Sequence, residues 1–244
     1  MKQTTLSASS LDRYSKTTRR AAFLAEMERV VPWAALCALI APVYPKAGNG
    51  RPPVGLERML RIYFLQNWFN LSDPAVEEAL YDSLSMREFV GIDLGREGAP
   101  DETTVCKFRH LLEQHEMGQR LFEEVGRHLQ TKGMKVSTGT IVDATIINAP
   151  SSTKNQRKAR DFTNQKGFRN KELTEREREK NSRKSSVRAK VEHAFLIIKR
   201  IFGFAKVSYR GMLKNGNRLF VVATLANPFM ARRHLLRLPQ GRCV

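Results

Sequence analysis

Three charged side chains in the C-terminal third of the chain have a spacing that could support phosphate chemistry. Arg188, Glu192 and Lys199 are four and seven residues apart. On an α-helix, at about 100° per residue, they fall within roughly 40° of one another. A carboxylate flanked by two cations could bind a divalent metal ion while the cations hold phosphate groups. The same spacing also fits a row of surface ion pairs, and the helix considered alone favours that blander interpretation.

The segment that would carry these residues, Ser185 to Phe202, has the pattern of an amphipathic helix. Its apolar residues recur at helical intervals, which predicts one buried face. That face consists of Val187, Val191, Phe195, Ile198 and Phe202. The hydroxyl of Ser185 or Ser186 could cap the first turn, and Gly203 could end the helix. We therefore predict a helix over residues 185–202.

A second acidic residue, Asp143, lies in the middle of a segment typical of a β-strand. Residues 138–150, TGTIVDATIINAP, are β-branched and apolar and show no helical period. Burying an acid among such neighbours costs free energy unless it is paired or bound to a cation. The alternative is that Asp143 lies at the end of a sheet, where water solvates it. We favour a functional role. Asp143 and Glu192 would then supply carboxylates from two different elements, as two-metal phosphoryl transfer requires.

The net charge points to a polyanionic partner. The 244 residues include 42 Lys and Arg against 24 Asp and Glu, a formal charge of +18. Nucleic acid is the simplest such partner, ahead of an anionic membrane surface. No run of 18 apolar residues predicts a membrane-spanning helix, and the N-terminus lacks the apolar region of a secretory signal. The three cysteines are widely spaced and predict neither disulfides nor a zinc site. A cytoplasmic, nucleoid-associated protein fits these features.

Residues 21–132 have the pattern of a compact block of consecutive short helices. The predicted helices cover 21–41 with a break at Pro32, 54–70, Asp73 to Val90, Val105 to Glu116, and Gly118 to Lys132. Asp101, with Thr103 and Thr104, would start the helix over 105–116, which would carry Lys107, Arg109 and His110 outward. Such an arrangement is similar to a helix-turn-helix-like DNA reader, but an ordinary helical bundle with a basic surface fits it equally well.

The remaining segments alternate in character. Residues 151–184 contain few apolar side chains and predict a mobile basic linker, within which 172–184 could form an exposed helix through Glu–Arg pairs. Residues 151–200 contain 16 Lys and Arg but six Asp and Glu. Residues 204–211, which include Arg210, alternate like a half-buried strand. Residues 213–238 predict an apolar helix that is kinked or restarted at Pro228.

Taken together, these features resemble a DDE transposase of bacterial insertion sequences, of the insertion-sequence-five type. The segment GTIVDATIINAPSSTKN is similar to the strand that carries the first catalytic Asp of that family. The segment VRAKVEHAFLIIKRIFGFAKVSYRG is similar to the one that carries the catalytic Glu. The family pattern there, R-x3-E-x6-K, matches Arg188, Glu192 and Lys199 position for position. The helical block from GRPPVGLERMLRIYFLQNW to KFRHLLEQH resembles the family's N-terminal domain.

The resemblance implies an α+β protein in which a helical block binds terminal inverted repeats and a partial RNase H-like α/β domain follows. Asp143 and Glu192 would be catalytic and would bind Mg²⁺ or Mn²⁺, while Arg188 and Lys199 would position the transposon end. Further candidate DNA contacts are Lys107, Arg109 and Arg210. The implied reaction is hydrolytic nicking of double-stranded DNA followed by transfer of the 3′-OH into target DNA, carried out by a homodimer without any membrane partner.

The chain departs from this family at one catalytic position. The family has a second catalytic Asp in a Gly-Asp context, whereas this sequence contains no Gly-Asp pair, and Asp161 is the only aspartate between Asp143 and Glu192. Asp161 lies in a basic segment and does not match that context. We predict an internal deletion near Asp161–Phe162 that removed strands of the sheet. Because the second catalytic Asp would be lost with them, we expect the protein to have lost most or all of its strand-transfer activity.

Two non-enzymatic interpretations remain open. The first is a transposase-derived DNA-binding protein that occupies transposon ends. The second is a basic RNA-binding or scaffold protein, although no RNA-module signature is present.

The sequence also predicts how the chain is divided. We expect a flexible N-terminus over 1–20, a helical domain over 21–132, a catalytic domain from 138–150 plus 185–236, and a basic linker or deletion junction over 151–184.

Overall fold

The computed structural model describes residues 16–48, 52–134 and 173–237, and this part of the chain is helical, without a strand. Its helices are α1 Arg19–Val30, α2 Trp33–Ile40, α3 Leu56–Trp68, α4 Asp73–Asp82, α5 Leu84–Val90, α6 Glu102–Gln114, α7 Met117–Thr131, α8 Glu175–Leu196 and α9 Met212–Leu235. A π-helical turn, Ile197–Ile201, extends α8. The strand predicted over 138–150, with Asp143, lies outside the described residues, so the α+β class and the RNase H-like sheet stay predictions.

The centre of the core is α3. Every residue from Ile62 to Trp68 is buried, the polar Gln66 and Asn67 included, so this part of α3 is enclosed by other elements on all sides. Around Trp68, the rings of Phe23, Phe64 and Phe89 have centroids 5.4, 5.6 and 5.8 Å away. Fully burying each such side chain contributes about 1.5–3 kcal/mol, so α1, α3 and α5 are joined through this cluster of rings.

The predicted break at Pro32 is confirmed, and α6 begins directly after Asp101, three residues before the predicted Val105. Val30 ends α1, and α2 begins at Trp33 directly after Pro32, because proline cannot continue the helical hydrogen-bond ladder. The Asp101 carboxylate accepts a hydrogen bond from the backbone N–H of Thr104 at 2.7 Å, which satisfies one free donor of the first turn.

The single helix predicted from Asp73 to Val90 is instead two helices. The backbone leaves the helical region at Ser83, with φ −103° and ψ 107°, which separates α4 from α5. Ser72 rather than Asp73 caps α4, accepting a hydrogen bond from the N–H of Ala75 at 3.3 Å. Leu84, directly after the turn at Ser83, is 61% exposed.

The helix predicted over 185–202 is longer and begins earlier. Its first residue is Glu175, and Thr174 and Glu177 form a capping box. The Thr174 side chain accepts a hydrogen bond from the Glu177 N–H, and the Glu177 carboxylate accepts one from the Thr174 N–H at 2.9 Å. Ser185 and Ser186 therefore lie inside α8 and do not cap it. The helix predicted from the Glu–Arg pairs is confirmed from Glu175 onward. Residues 175–184, which lie within the predicted basic linker, are therefore helical.

Residues 204–211, predicted as a strand, form an irregular loop. The side chain of Asn215 satisfies the backbone of this loop: its Nδ2 donates to the Tyr209 carbonyl at 2.5 Å, and its Oδ1 accepts from the Tyr209 N–H at 3.2 Å. Within the described part of the chain no strand is available to pair with it, and Val207 is 69% exposed. The alternation of apolar and polar residues over 204–211 therefore does not produce a strand, and the side chain of Asn215 fixes this segment as a loop.

The last helix, α9, is continuous through Pro228, whereas the sequence left a kink or a restart open. It packs along α7 and also against α1 and α3, so residues predicted to belong to a catalytic domain contribute to the same core as the helical block. The helices α7 and α9 approach each other closely at Gly118, whose N–H donates to Asn217 Oδ1 at 2.8 Å. A Cβ at position 118 would lie 2.5 Å from that oxygen, so the contact requires glycine.

Candidate nucleic-acid interface

The described candidate catalytic residues lie where α8 joins the π-helical turn. Glu192 is exposed near the end of α8, and Lys199 is exposed within Ile197–Ile201, with its Nζ 5.4 Å from the centroid of the Phe195 ring. The side chain of Arg188 and the whole of Asp143 lie outside what the structure describes. A π-helical turn contains more residues than an α-turn, so Lys199 is rotated about the axis away from the position that a straight α-helix gives it.

The core anchors this end of α8. Ile197, Ile198 and Phe202 are 1, 8 and 1% exposed, which confirms the buried positions of Ile198 and Phe202 predicted from periodicity. The Phe202 ring lies 5.6 Å from that of Phe229 on α9. The chain then turns at Gly203, with φ 68°, which agrees with the predicted stop. Lys199 is thus held at an edge of the helical body, and Glu192 lies about two helical turns before it.

The described residues do not by themselves form a metal site. Divalent cations such as Mg²⁺ take several oxygen ligands. Glu192 is the one predicted ligand in the described ranges, and these ranges contain no group of three His, Cys, Asp or Glu side chains that could hold a metal ion. The other predicted ligand, Asp143, lies outside these ranges, so the metal site stays a prediction.

The candidate DNA-contacting residues differ in exposure. Lys107 on α6 and Arg210 in the loop are exposed. Arg109, predicted to point outward, is 7% exposed, so that orientation is wrong. The reason is the helical register: position 109 follows Val105 by four residues and precedes Leu112 by three, which places it on the buried stripe of α6. The spacing of four residues between Arg109 and Glu113 is the feature of the sequence that could have indicated an ion pair on this face of α6.

Arg109 forms a buried ion-pair network. Its Nη2 donates to Asp73 Oδ2 at 2.8 Å and its Nη1 to Glu113 Oε1 at 3.2 Å. Burial acts to raise the pKa of Asp73, but the hydrogen bonds from Arg109 and Gln66 outweigh it and hold that pKa below its ordinary value. Burial acts to lower the pKa of Arg109, and its bond to Asp73 raises it on balance. Both groups are therefore charged at neutral pH.

A second buried arginine connects this network to the loop of residues 204–211. Arg218 is 7% exposed; it donates to Asn70 Oδ1 at 2.7 Å and also bonds the Ser208 hydroxyl. The Tyr209 ring lies near both guanidinium groups, with its centroid 4.6 Å from Arg109 Cζ and 5.5 Å from Arg218 Cζ. Cation–π contacts of this kind contribute about 0.5–2 kcal/mol.

We call Arg109, Tyr209, Arg218 and Asn215 the tyrosine clamp. The clamp fixes the loop whose Lys206 and Arg210 side chains are exposed. Burial raises the pKa of the Tyr209 hydroxyl, so the ring stays neutral at physiological pH. Sequence reasoning missed the clamp, because nothing local to positions 109, 209 and 218 indicates that they meet.

The remaining sequence expectations concern cysteines and membranes. Cys37 and Cys106 are free thiols and are partly exposed. In the ranges that the structure covers, no helix is both long and apolar enough to span a lipid bilayer.

Comparison with known protein families gives two matches that lie one after the other along the chain. Residues 11–111 match the family described as Transposase domain (DUF772). Residues 146–227 match the family described as Transposase DDE domain. The second match includes Glu192 and Lys199 and begins three residues after Asp143. No solved structure matches the chain.

Proposed function

Because the chain belongs to the DDE transposases, we propose that it binds double-stranded DNA at the terminal inverted repeats of an insertion sequence of the insertion-sequence-five type. The formal charge of +18 supports a DNA partner. So do the exposed cations Lys107, Lys199 and Arg210, which lie on three different elements of the helical body. Such contacts would position DNA without selecting a base sequence.

For the chemistry, we assign Asp143 and Glu192 as the carboxylates of a DNA-nicking and strand-transfer site, with Arg188 and Lys199 binding the DNA backbone. One observation carries the assignment of Glu192 and Lys199: the R-x3-E-x6-K pattern falls inside the segment that matches the DDE domain, and both of these residues are exposed where α8 joins the π-helical turn. Bound Mg²⁺ or Mn²⁺ would supply charge stabilisation at the reacting phosphate. Residues 138–150 would contribute a strand of an RNase H-like sheet.

The missing second aspartate limits this activity. No aspartate in a Gly-Asp context lies between Asp143 and Glu192, and the segment from Glu175 to Leu196 is helix rather than sheet. Loss of a shared carboxylate costs metal-dependent catalysis orders of magnitude in rate. We therefore propose an internal deletion that leaves DNA binding intact and removes most or all strand transfer.

A cleavage assay tests the catalytic assignment. Purified protein is incubated with duplexes that carry the inverted repeats flanking the gene, with Mg²⁺ or Mn²⁺, and nicks are counted for the wild type, Asp143→Ala and Glu192→Ala. We expect weak or no cleavage in all three. Robust cleavage that Asp143→Ala abolishes would contradict the deletion. Metal binding itself is checked by calorimetric titration of Mn²⁺ into the wild type and Glu192→Gln, because that readout does not depend on activity.

The alternative function is a non-catalytic protein that occupies transposon ends and competes with an intact transposase. It is favoured by the same missing aspartate. It predicts tight, salt-sensitive binding to inverted repeats, with Asp143→Asn changing affinity by no more than the charge difference, and no nicking with any metal. On either function we propose a homodimer on paired ends, in the cytoplasm at the nucleoid, and the mass of the DNA complex checks the dimer.

A further inference from the structure

The first half of α8 carries basic side chains to which the proposed function assigns no role. Arg176, Lys180 and Arg183 follow one another at intervals of four and three residues. On an α-helix these intervals place them within about 60° of one another. All three residues are exposed, and we call them the outer basic stripe.

This part of α8 is not held by a hydrophobic face. From Thr174 to Arg183 no residue is buried, and the capping box of Thr174 and Glu177 begins the helix. A helix that is polar on all sides gains little stability from packing, so the exposed Arg176, Lys180 and Arg183 can reach a partner without unfolding a core. A linear array of exposed cations on such a helix suits the regularly spaced charges of a phosphate backbone.

The outer basic stripe faces away from the proposed reaction centre. Counted at about 100° per residue, Glu192 lies between roughly 120° and 180° around the helix axis from the three stripe residues. A duplex that contacts the stripe therefore lies on the other side of α8 from a duplex at Glu192.

We propose that the outer basic stripe binds the backbone of a second segment of double-stranded DNA while Glu192 faces the first. The inference rests on the proposed DNA-binding function. It extends that function by giving α8 two DNA-facing sides and by making the helix a bridge between two duplex segments.

Neighbouring carboxylates do not block the stripe. Glu179 pairs with Arg183 at 4.0 Å, and their side chains are 65 and 84% exposed. An ion pair this exposed contributes about 0–1 kcal/mol, so a phosphate can replace the carboxylate. Glu175 and Glu177 lie about 100° to either side of Arg176 around the axis, away from the centre of the stripe.

The test compares two triple variants of equal charge. Arg176→Gln, Lys180→Gln and Arg183→Gln together remove the stripe, and glutamine keeps a high helix propensity. The matched control replaces three exposed cations of the helical body: Arg29→Gln, Arg120→Gln and Lys132→Gln. Circular dichroism checks that all three proteins have the same helix content.

Binding is measured by fluorescence anisotropy with a labelled duplex of mixed sequence over a range of salt concentrations. For the stripe variant, we expect the slope of log K against log salt to fall by about 2 to 3 and the affinity at physiological salt to fall on the order of 10- to 100-fold. The control variant should change much less. Bridging is measured by immobilising one duplex and detecting capture of a second, labelled duplex, which the wild type should show and the stripe variant should lose.

Each contrary result has a separate meaning. An unchanged salt slope in the stripe variant, or equal losses in both variants, overturns the stripe as a local contact. Retained capture of the second duplex by the stripe variant overturns the bridging role. Tighter binding to single-stranded RNA of the same sequence overturns double-stranded DNA as the partner. Absence of any DNA binding by the wild type overturns the proposed function itself, and the inference with it.

Discussion

The arginines at the centre of the helical body and those on the first half of α8 are used in opposite ways. Arg109 and Arg218 are each 7% exposed, and each has partners for its guanidinium that come from distant parts of the chain. The side chain of Arg183 is 84% exposed and has a carboxylate 4.0 Å away. A buried guanidinium must be paired because removing its hydration is costly, whereas an exposed one contributes little to folding.

The contrast between these arginines shows that a high net charge does not identify the DNA-facing residues by itself. Arg109, one of the five cations predicted from sequence to contact DNA, is used inside the protein to hold α4, α6 and the loop at Tyr209. Removing it should affect folding, whereas removing a cation on α8 should affect binding. Four predictions test this separation, from the largest expected effect to the smallest.

Arg109→Ala should lower the free energy of unfolding by about 3 kcal/mol, because it leaves Glu113 as a buried carboxylate without its arginine and leaves Asp73 with the hydrogen bond from Gln66 but without its ion pair. The measurement is equilibrium unfolding in urea. Arg96→Ala is the matched control, since Arg96 is 87% exposed, and it should change stability by no more than about 0.5 kcal/mol. Similar losses in the two variants would remove the distinction between buried and exposed arginines.

Gly118→Ala should cost about 1–3 kcal/mol, because the new Cβ would lie 2.5 Å from Asn217 Oδ1 and force α7 and α9 apart. Gly126→Ala on the same helix has no atom within 4 Å of its Cβ and should be neutral or stabilise the protein by about 0.5–1 kcal/mol. Thermal unfolding of both variants checks this pair. Equal melting temperatures would show that the close approach at Gly118 does not occur.

The pH dependence of stability should report the Asp73–Arg109 pair. The pKa of Asp73 is lower in the folded protein than its ordinary value of 3.8, so its contribution is complete above that value and is lost as pH falls through the folded pKa. The stability difference between the wild type and Asp73→Asn should therefore shrink in acid. A difference that stays constant down to acid pH would show that Asp73 is not ionised in the folded state.

Thr174→Ala should cost about 1 kcal/mol of helix stability at the start of α8 through loss of the capping box, with almost no effect on global unfolding. Thr18→Ala is the matched control, because Thr18 accepts a hydrogen bond from the Ala21 N–H at 3.1 Å at the start of α1, a helix that packs into the core. Hydrogen exchange of the amides after Thr174 measures the local effect. A matching loss of global stability in Thr174→Ala would show that this half of α8 supports the core.

The local features of the fold were predictable from the sequence. The break at Pro32, the cap at Asp101 and the stop at Gly203 each depend on groups within a few residues, and the structure has all three. The spacing of Arg188, Glu192 and Lys199 likewise lies within twelve residues and, with the strand pattern and the helical block, led to the transposase family. The roles of Asp143 and Glu192 stay predictions.

Only the tertiary structure decided which charged residues are buried and whether residues 204–211 pair with another strand. Arg109 meets an aspartate 36 residues away, and Arg218 meets an asparagine 148 residues away, so no local pattern could show these contacts. Residues 204–211 have the alternation of a strand, but the side chain of Asn215 satisfies the backbone at Tyr209. The physical reason is the same in each case: hydrogen-bond caps act within one turn of chain, whereas the desolvation of a guanidinium or the pairing of a strand depends on what the rest of the fold brings beside it.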